Sequence, residues 1–69
     1  MSDIVEKFGK RLREIRKEMG RTQEEISQEI GVDRTYVGKI ERGERSPSLE
    51  KVERLSECLD VEIEELFKF

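Results

Sequence analysis

The sequence has no histidine and a single cysteine, Cys58. It therefore lacks the histidine and the paired cysteines of common zinc sites and nucleophile–base pairs, and it has no glycine-rich phosphate loop. Its acidic residues are spread over the predicted helix surfaces and form no recognisable pair. We expect no enzyme, no metal site and no cofactor. A lone cysteine excludes an intramolecular disulfide. Because Cys58 sits in an apolar pattern, a buried structural thiol is the interpretation that we favour.

Long apolar runs are also missing. No stretch approaches the ~18 apolar residues that a membrane-spanning helix needs. Residues 1–6 lead directly into a charged segment, so we expect no signal peptide. The predicted setting is the reducing cytoplasm, without membrane attachment and without an evident small-molecule ligand.

The charge of the chain does not favour a nucleic-acid partner at first sight. With 69 residues, the chain is long enough for one domain, and its formal net charge is −3. A phosphate-binding surface should be basic. The charge is uneven, however: residues 1–21 carry +3 and residues 33–45 carry +1, whereas residues 22–32 carry −3 and residues 46–69 carry −4. Positive charge is therefore available in two segments, and the acidic C-terminal third can face elsewhere.

Residues 22–43, TQEEISQEIGVDRTYVGKIERG, predict two short helices joined by a tight turn. Thr22 and Glu25 have the spacing of a capping box at the start of the first helix. Gly31 supplies the positive φ that ends this helix, and Asp33 is expected to cap the second helix. Two short helices with a glycine-containing turn are typical of a helix-turn-helix.

Apolar periodicity predicts three further helices around this motif. The first helix has apolar residues at spacings of three and four: Val5, Phe8, Leu12, Ile15 and Met19. The fourth has Ser48 as its cap and an inner stripe of Leu49, Val52, Leu55 and Leu59. A short fifth helix is expected over about residues 62–68, after a left-handed residue at Asp60. The prediction is an all-α, compact five-helix domain that spans residues 1–69.

The motif and its flanks resemble the phage-repressor and Cro-type helix-turn-helix regulators. The matching stretches are FGKRLREIRKEMGRTQEEIS, GVDRTYVGKIERGERSPSLEKVERL and DVEIEELF. The segment DRTYVGKIERGERSPSL is especially similar to the controller proteins of restriction–modification systems. This resemblance implies a lambda-repressor-like DNA-binding domain that binds a near-palindromic double-stranded DNA operator as a homodimer, with the second motif helix in the major groove.

The resemblance places base-reading positions at four residues of the second motif helix: Arg34, Thr35, Gly38 and Lys39. Residue patterning agrees, because Val37 and Ile40 must face inward. Arginine and lysine reach guanine O6 and N7, and threonine reads bases or touches a thymine methyl. Plain solvated charge is the alternative for the two cations. Gly38 costs about 1 kcal/mol in helix propensity relative to alanine and offers no side chain for base contact.

Further positions match contacts to the DNA backbone. Gln23 begins the first motif helix, where its amide and the free N–H groups point at phosphate. Thr22 is a cap first and a phosphate neighbour second. Arg42 and Arg45 flank the end of the second helix as phosphate clamps. For Tyr36, a hydroxyl contact to phosphate or ribose and packing on the preceding helix are left as alternatives.

Two other groups of residues are assigned structural roles. Arg16 and Glu41 match an internal ion pair of related repressors, which ties the first helix to the second motif helix. The C-terminal segment, residues 60–69, carries more apolar residues than a short helix buries. We therefore expect a two-fold dimer interface made of Val61, Ile63, Leu66, Phe67 and Phe69. The alternative is that Leu66 and Phe67 complete the core of one chain.

A different class of function remains open from sequence. The same fold serves protein-interaction modules, such as an adaptor or an antitoxin, and the acidic C-terminal third would then be the docking face. Salt separates the two classes, because binding through several phosphates weakens steeply with added salt.

Overall fold

The computed structural model describes residues 3–69, and the regular secondary structure within that range is entirely helical. In chain order the helices are α1 (Asp3–Glu18), α2 (Gln23–Glu29), α3 (Tyr36–Glu41), α4 (Leu49–Cys58) and a C-terminal 3₁₀ helix (Ile63–Phe67). The all-α helix-turn-helix prediction is confirmed, and the first two residues of the predicted domain lie outside the described range. No helix of residues 3–69 has the length and apolar content needed to cross a membrane.

The short fifth helix predicted over about residues 62–68 is a 3₁₀ helix of five residues, Ile63–Phe67. Glu62 and Lys68 flank it with extended backbone, at ψ 150° and 92°. A segment this short forms too few hydrogen bonds to offset the unfavourable free energy of α-helix nucleation, and 3₁₀ geometry is common in such short segments. Residues 3–69 therefore form four α-helices and a C-terminal 3₁₀ helix.

Most of the predicted helix ends are confirmed. Thr22 Oγ1 accepts a hydrogen bond from Glu25 N at 3.0 Å, while Thr22 N donates to Glu25 Oε1 at 2.9 Å, which completes the capping box. Ser48 Oγ accepts from Lys51 N at 3.2 Å. Asp60 has φ +55°, the left-handed conformation expected between α4 and the C-terminal segment.

The predicted cap at Asp33 forms in the turn ahead of α3, not at the first residue of that helix. Asp33 Oδ1 accepts hydrogen bonds from the backbone N–H of Thr35 at 2.8 Å and from its hydroxyl. These bonds close a local turn and lower the pKa of the Asp33 carboxyl. An aspartate at a helix start accepts the N–H of the second or third residue ahead, but here the two residues after Asp33 form a turn outside the regular helix. Helix α3 consequently begins only at Tyr36.

The core lies where α1 packs across α3 and the 3₁₀ helix, with α2 and α4 closing the other sides. Its fully buried apolar residues are Leu12, Ile26, Val37, Ile40, Leu55, Leu59 and Leu66. Ser27 is also fully buried, and its hydroxyl accepts a hydrogen bond from Val37 N at 3.3 Å. This bond satisfies an N–H at the start of α3 that has no partner within the helix.

Two residues of the predicted inner stripes are exposed. Leu49 is 86% exposed and Met19 is 45% exposed. Both lie at helix ends, where the apolar face continues past the edge of the core and no described element covers it. Periodicity identifies the face of a helix but not the point at which its covering partner ends.

Cys58 is half-buried rather than buried. Its thiol donates a hydrogen bond to Glu29 Oε2 at 2.9 Å, and Arg21 pairs with the same carboxylate. Burial, together with the neighbouring Glu29, raises the pKa of Cys58 to about 11. The thiol is therefore protonated at neutral pH and links α4 to α2 as a hydrogen-bond donor.

Sequence patterning did not identify Gly9, at which α1 lies directly against the backbone of α3. A Cβ built at Gly9 would lie 2.3 Å from the backbone oxygen of Ile40 and 3.0 Å from that of Glu41. Neither oxygen belongs to a flexible side chain, so an added methyl group has to push the two helices apart.

We expect Gly9→Ala to lower the free energy of unfolding by about 3 kcal/mol, the upper range for overpacking against rigid neighbours. Urea denaturation followed by circular dichroism measures this change. Lys10→Ala, on the exposed side of the same helix, is the control and should stay within about 0.5 kcal/mol of the parent chain. Equal stability of the two variants would contradict the close contact.

Candidate nucleic-acid interface

The predicted base-reading residues do not all lie on the second motif helix. Arg34 and Thr35 are exposed in the turn that Asp33 closes, ahead of α3. Lys39 is exposed on α3, whereas Gly38 is buried. The expectation that all four lie within one helix was therefore wrong, because Asp33 holds the backbone of the first two in a turn.

An open polar groove brings together residues from three separate segments. It is lined by Gln23 and Glu24 at the start of α2, Arg34 and Thr35 in the turn, and Gly38 and Arg42 at α3 and its end. We call these six residues the polar groove. Five of them were predicted as DNA contacts, and the tertiary fold gathers them on one face.

Glu24 is the member of the polar groove that sequence reasoning missed. It is exposed beside Gln23 in the first turn of α2. The signal was present in the capping box, which fixes where α2 begins and therefore places residue 24 at the same helix end as Gln23. A carboxylate here opposes phosphate binding at this edge and favours a base edge or an N–H donor instead.

A buried network anchors the polar groove from behind. Arg16 Nε and Nη2 donate to Glu41 Oε2 and Oε1 at 2.6 and 3.0 Å, and Arg16 Nη1 donates to Arg21 O at 2.8 Å. Gln23 Nε2 donates to Glu41 Oε1 at 2.9 Å. The side chains of Arg16 and Glu41 are 11% and 2% exposed, and the hydrogen bond with Glu41 raises the pKa of Arg16. This network joins α1, the loop before α2, α2 itself and α3.

The proposed phosphate-contacting side chains already have partners within the chain. Arg42 Nε donates to Glu44 Oε2 at 2.9 Å, and this pairing lowers the pKa of Glu44. Gln23 donates one amide hydrogen to Glu41, and Thr22 accepts the capping hydrogen bond at the start of α2. Arg34 and Lys39, in contrast, make no ion pair with another residue of the described range.

Tyr36 packs into the core, with only 7% of the residue exposed, and burial raises its pKa. The Arg45 guanidinium lies over its ring at 4.9 Å from the centroid. The structure therefore favours the packing alternative for Tyr36. These two residues line a second groove with Asp33 and Ser46, separate from the lining of the polar groove.

The predicted dimer residues differ in how far they are exposed. Leu66 is fully buried within one chain, so its inclusion in an interface is corrected: it completes the core. Val61 is half-buried against that core. Ile63, Phe67 and Phe69 are 45%, 40% and 55% exposed and remain available for contact.

The exposed C-terminal residues belong to a larger apolar surface, formed by Ile4, Leu49, Ile63, Phe67 and Phe69. Leu49 and Phe67 line two adjoining grooves, one with Ile4 and the other with Ile63. The Phe67 ring packs on Phe8 and Phe69, with centroid separations of 5.1 and 6.3 Å. Ile4 and Leu49 were missed because periodicity assigned Leu49 to the core and did not place Ile4.

Comparison with known proteins agrees with this geometry. The Helix-turn-helix model HTH_3 matches residues 12–66. The chain belongs to this helix-turn-helix family. It is 41% identical over 68 residues to the control protein C.MunI from Mycoplasma sp, a match that covers 97% of this chain and 92% of C.MunI.

Two solved structures of restriction–modification controller proteins share the fold. C.AhdI from Aeromonas hydrophila has a TM-score of 0.87 and 48% identity, covering 91% of this chain and 96% of C.AhdI. C.Esp1396I, solved as a tetramer in complex with its natural 35 base-pair operator, has a TM-score of 0.81 and 30% identity, covering 99% of this chain and 100% of C.Esp1396I. The predicted resemblance to controller proteins is confirmed.

The anchoring network predicts a large cost for removing one partner alone. We expect Arg16→Met to lower the free energy of unfolding by about 3 kcal/mol, because the Glu41 carboxylate is left buried without its counter-charge. The double change Arg16→Met with Glu41→Leu should cost less than this single change. Chemical denaturation measures both.

Arg13→Met is the matched control, since Arg13 is an exposed arginine of the same helix. It should change the free energy of unfolding by no more than about 0.5 kcal/mol. If Arg16→Met were no more harmful than Arg13→Met, the network would not anchor the helices.

Proposed function

We propose that this protein is a sequence-specific transcriptional regulator of the controller type, which binds a near-palindromic operator in double-stranded DNA as a homodimer. The observation that carries the proposal is the polar groove together with Lys39. Arg34 and Lys39 make no ion pair within residues 3–69, and α3 beside them is anchored through Glu41. A surface of this kind combines base-reading donors with fixed orientation. We place this activity in the cytoplasm.

In the proposed complex, the turn before α3 and the exposed side of α3 enter the major groove. Arg34, Thr35 and Lys39 contact base edges, and Arg34 and Lys39 are favoured because no carboxylate of the described range pairs with them. Arg42, Arg45 and Thr22 lie around this surface and contact the DNA backbone. Gln23 contacts it through the amide hydrogen that Glu41 leaves free. Tyr36 supports Arg45 by packing rather than by a contact of its own.

The likeness to C.Esp1396I supports this assignment, since that protein was solved on its natural operator. The shared fold covers essentially the whole of both chains. The alternative of a protein-interaction module predicts a different salt response. Phosphate contacts release counterions, so DNA binding weakens steeply with salt, whereas an apolar protein interface does not.

The apolar surface is the proposed dimer interface. Five exposed apolar residues on one face of so small a chain are typical of an interaction site. Glu50 and Glu53 border the surface on α4, as a polar rim does. Arg11 fixes the neighbouring 3₁₀ helix, because its Nε donates to Glu65 O at 2.8 Å. A self-complementary contact here would set two copies of α3 about one DNA turn, ~34 Å, apart.

Selection from random duplex DNA tests the proposed function. We expect the wild-type chain to recover a near-palindrome with half-sites about 10 bp apart, in ~0.1 M salt. Arg34→Ala should relax the preference at one position of each half-site, because a bidentate contact is lost. Arg54→Ala, an exposed arginine on α4, is the control and should select the same site. The absence of any enriched sequence with folded wild-type protein would refute the proposal.

Sedimentation equilibrium tests the dimer. Leu49→Lys should shift the protein to monomer at concentrations at which the wild type is a dimer, because a charge is placed at the centre of the apolar surface. Met19→Lys introduces the same charge at an exposed apolar residue outside that surface and should remain dimeric. A wild-type chain that stays monomeric at high micromolar concentration contradicts the proposal.

A further inference from the structure

Gly38 lies in the middle of α3, directly beneath two polar side chains. A Cβ built at this position would stand 3.0 Å from Gln23 Oε1 and 3.2 Å from Arg42 Nη1. Both separations are tighter than ordinary contact, so both side chains would have to move. The φ of Gly38 is not positive, so the backbone conformation itself does not require glycine.

The two side chains above Gly38 are each held from their far side. Gln23 Nε2 donates to Glu41 Oε1 at 2.9 Å, which turns the amide oxygen towards Gly38. Arg42 Nε donates to Glu44 Oε2 at 2.9 Å, which leaves Nη1 as the guanidinium nitrogen nearest Gly38. Each group therefore has one polar edge occupied by the protein and one edge at the open polar groove.

Helix propensity makes glycine an unfavourable choice at this position. A glycine in a helix interior destabilises the helix relative to alanine. A purely structural role would therefore be served better by alanine, because only the ends of two flexible side chains stand in the way of a methyl group. The absence of a side chain at Gly38 thus affects the positions of Gln23 and Arg42 in the polar groove, not the packing of the core.

We propose that Gly38 determines specificity without contacting a base, by leaving the space in which Gln23 and Arg42 are seated at the floor of the polar groove. The inference rests on the proposed DNA-binding function. The amide oxygen of Gln23 accepts a hydrogen bond at this place. It therefore selects a base with an exocyclic amino group in the major groove, adenine or cytosine. A methyl group at residue 38 displaces this acceptor and removes the selection.

A double-mutant cycle tests the proposal with the full chain and the operator that the wild type selects. The variants are Gly38→Ala, Gln23→Ala and their combination, with Gln28→Ala as the matched control on the exposed side of α2. Three quantities are measured: the dissociation constant, the base profile recovered by selection, and the melting temperature.

We expect Gly38→Ala to melt no lower than Gln23→Ala and to bind about tenfold more weakly than wild type, with a preference for adenine or cytosine lost at one position of each half-site. In the Gln23→Ala background the same change should alter binding by less than about threefold, because residues that act as one unit are non-additive. Gln28→Ala should match the wild type in all three measurements.

Three results would overturn the inference. They are unchanged affinity and base profile in Gly38→Ala, an equal loss in both backgrounds, and a melting temperature well below that of Gln23→Ala, which would show a structural role. Failure of the proposed function is a separate outcome: the wild type itself would then select no DNA.

Discussion

The carboxylate of Glu41 accepts hydrogen bonds from Arg16 on α1 and from Gln23 on α2, although Glu41 itself ends α3. Helices α2 and α3 are only seven and six residues long, too short to be stable alone. Their mutual orientation therefore depends on tertiary contacts. The side chain of Glu41 is nearly inaccessible to water, so each of these hydrogen bonds acts in a poorly screened environment.

This anchoring lets the face of the motif remain polar and open. The core behind it is apolar and fully packed, with Ile26, Val37 and Ile40 completely buried. The cations in front, Arg34 and Lys39, are free of ion pairs within the described range. Because the packed core holds the backbone of the motif in place, binding through Arg34 and Lys39 loses less conformational entropy than it would on a flexible segment.

The overall charge of −3 is compatible with an anionic partner because some of the acids of the C-terminal third lie away from the polar groove. Glu50 and Glu53 border the apolar surface, where two protein chains are proposed to meet, rather than the polar groove. Glu24 and Glu44 are exceptions, since Glu24 lines the groove and Glu44 pairs with Arg42 beside it. These two acids limit how much of the groove can contact phosphate and favour base edges there.

The sequence by itself determined the helices, the caps at Thr22 and Ser48 and most of the core, because apolar periodicity and capping chemistry are local. It also indicated five of the six residues that line the polar groove, chiefly through the position of each residue in a family motif. Tertiary structure decided the rest. The start of α3 depended on which N–H groups the Asp33 carboxylate reached. Likewise, the exposure of Leu49 and the burial of Leu66 depended on where neighbouring helices end. The side chains of Gln23 and Arg42, which are far apart in the sequence, occupy the space above Gly38 only because the fold brings both to a residue without a side chain.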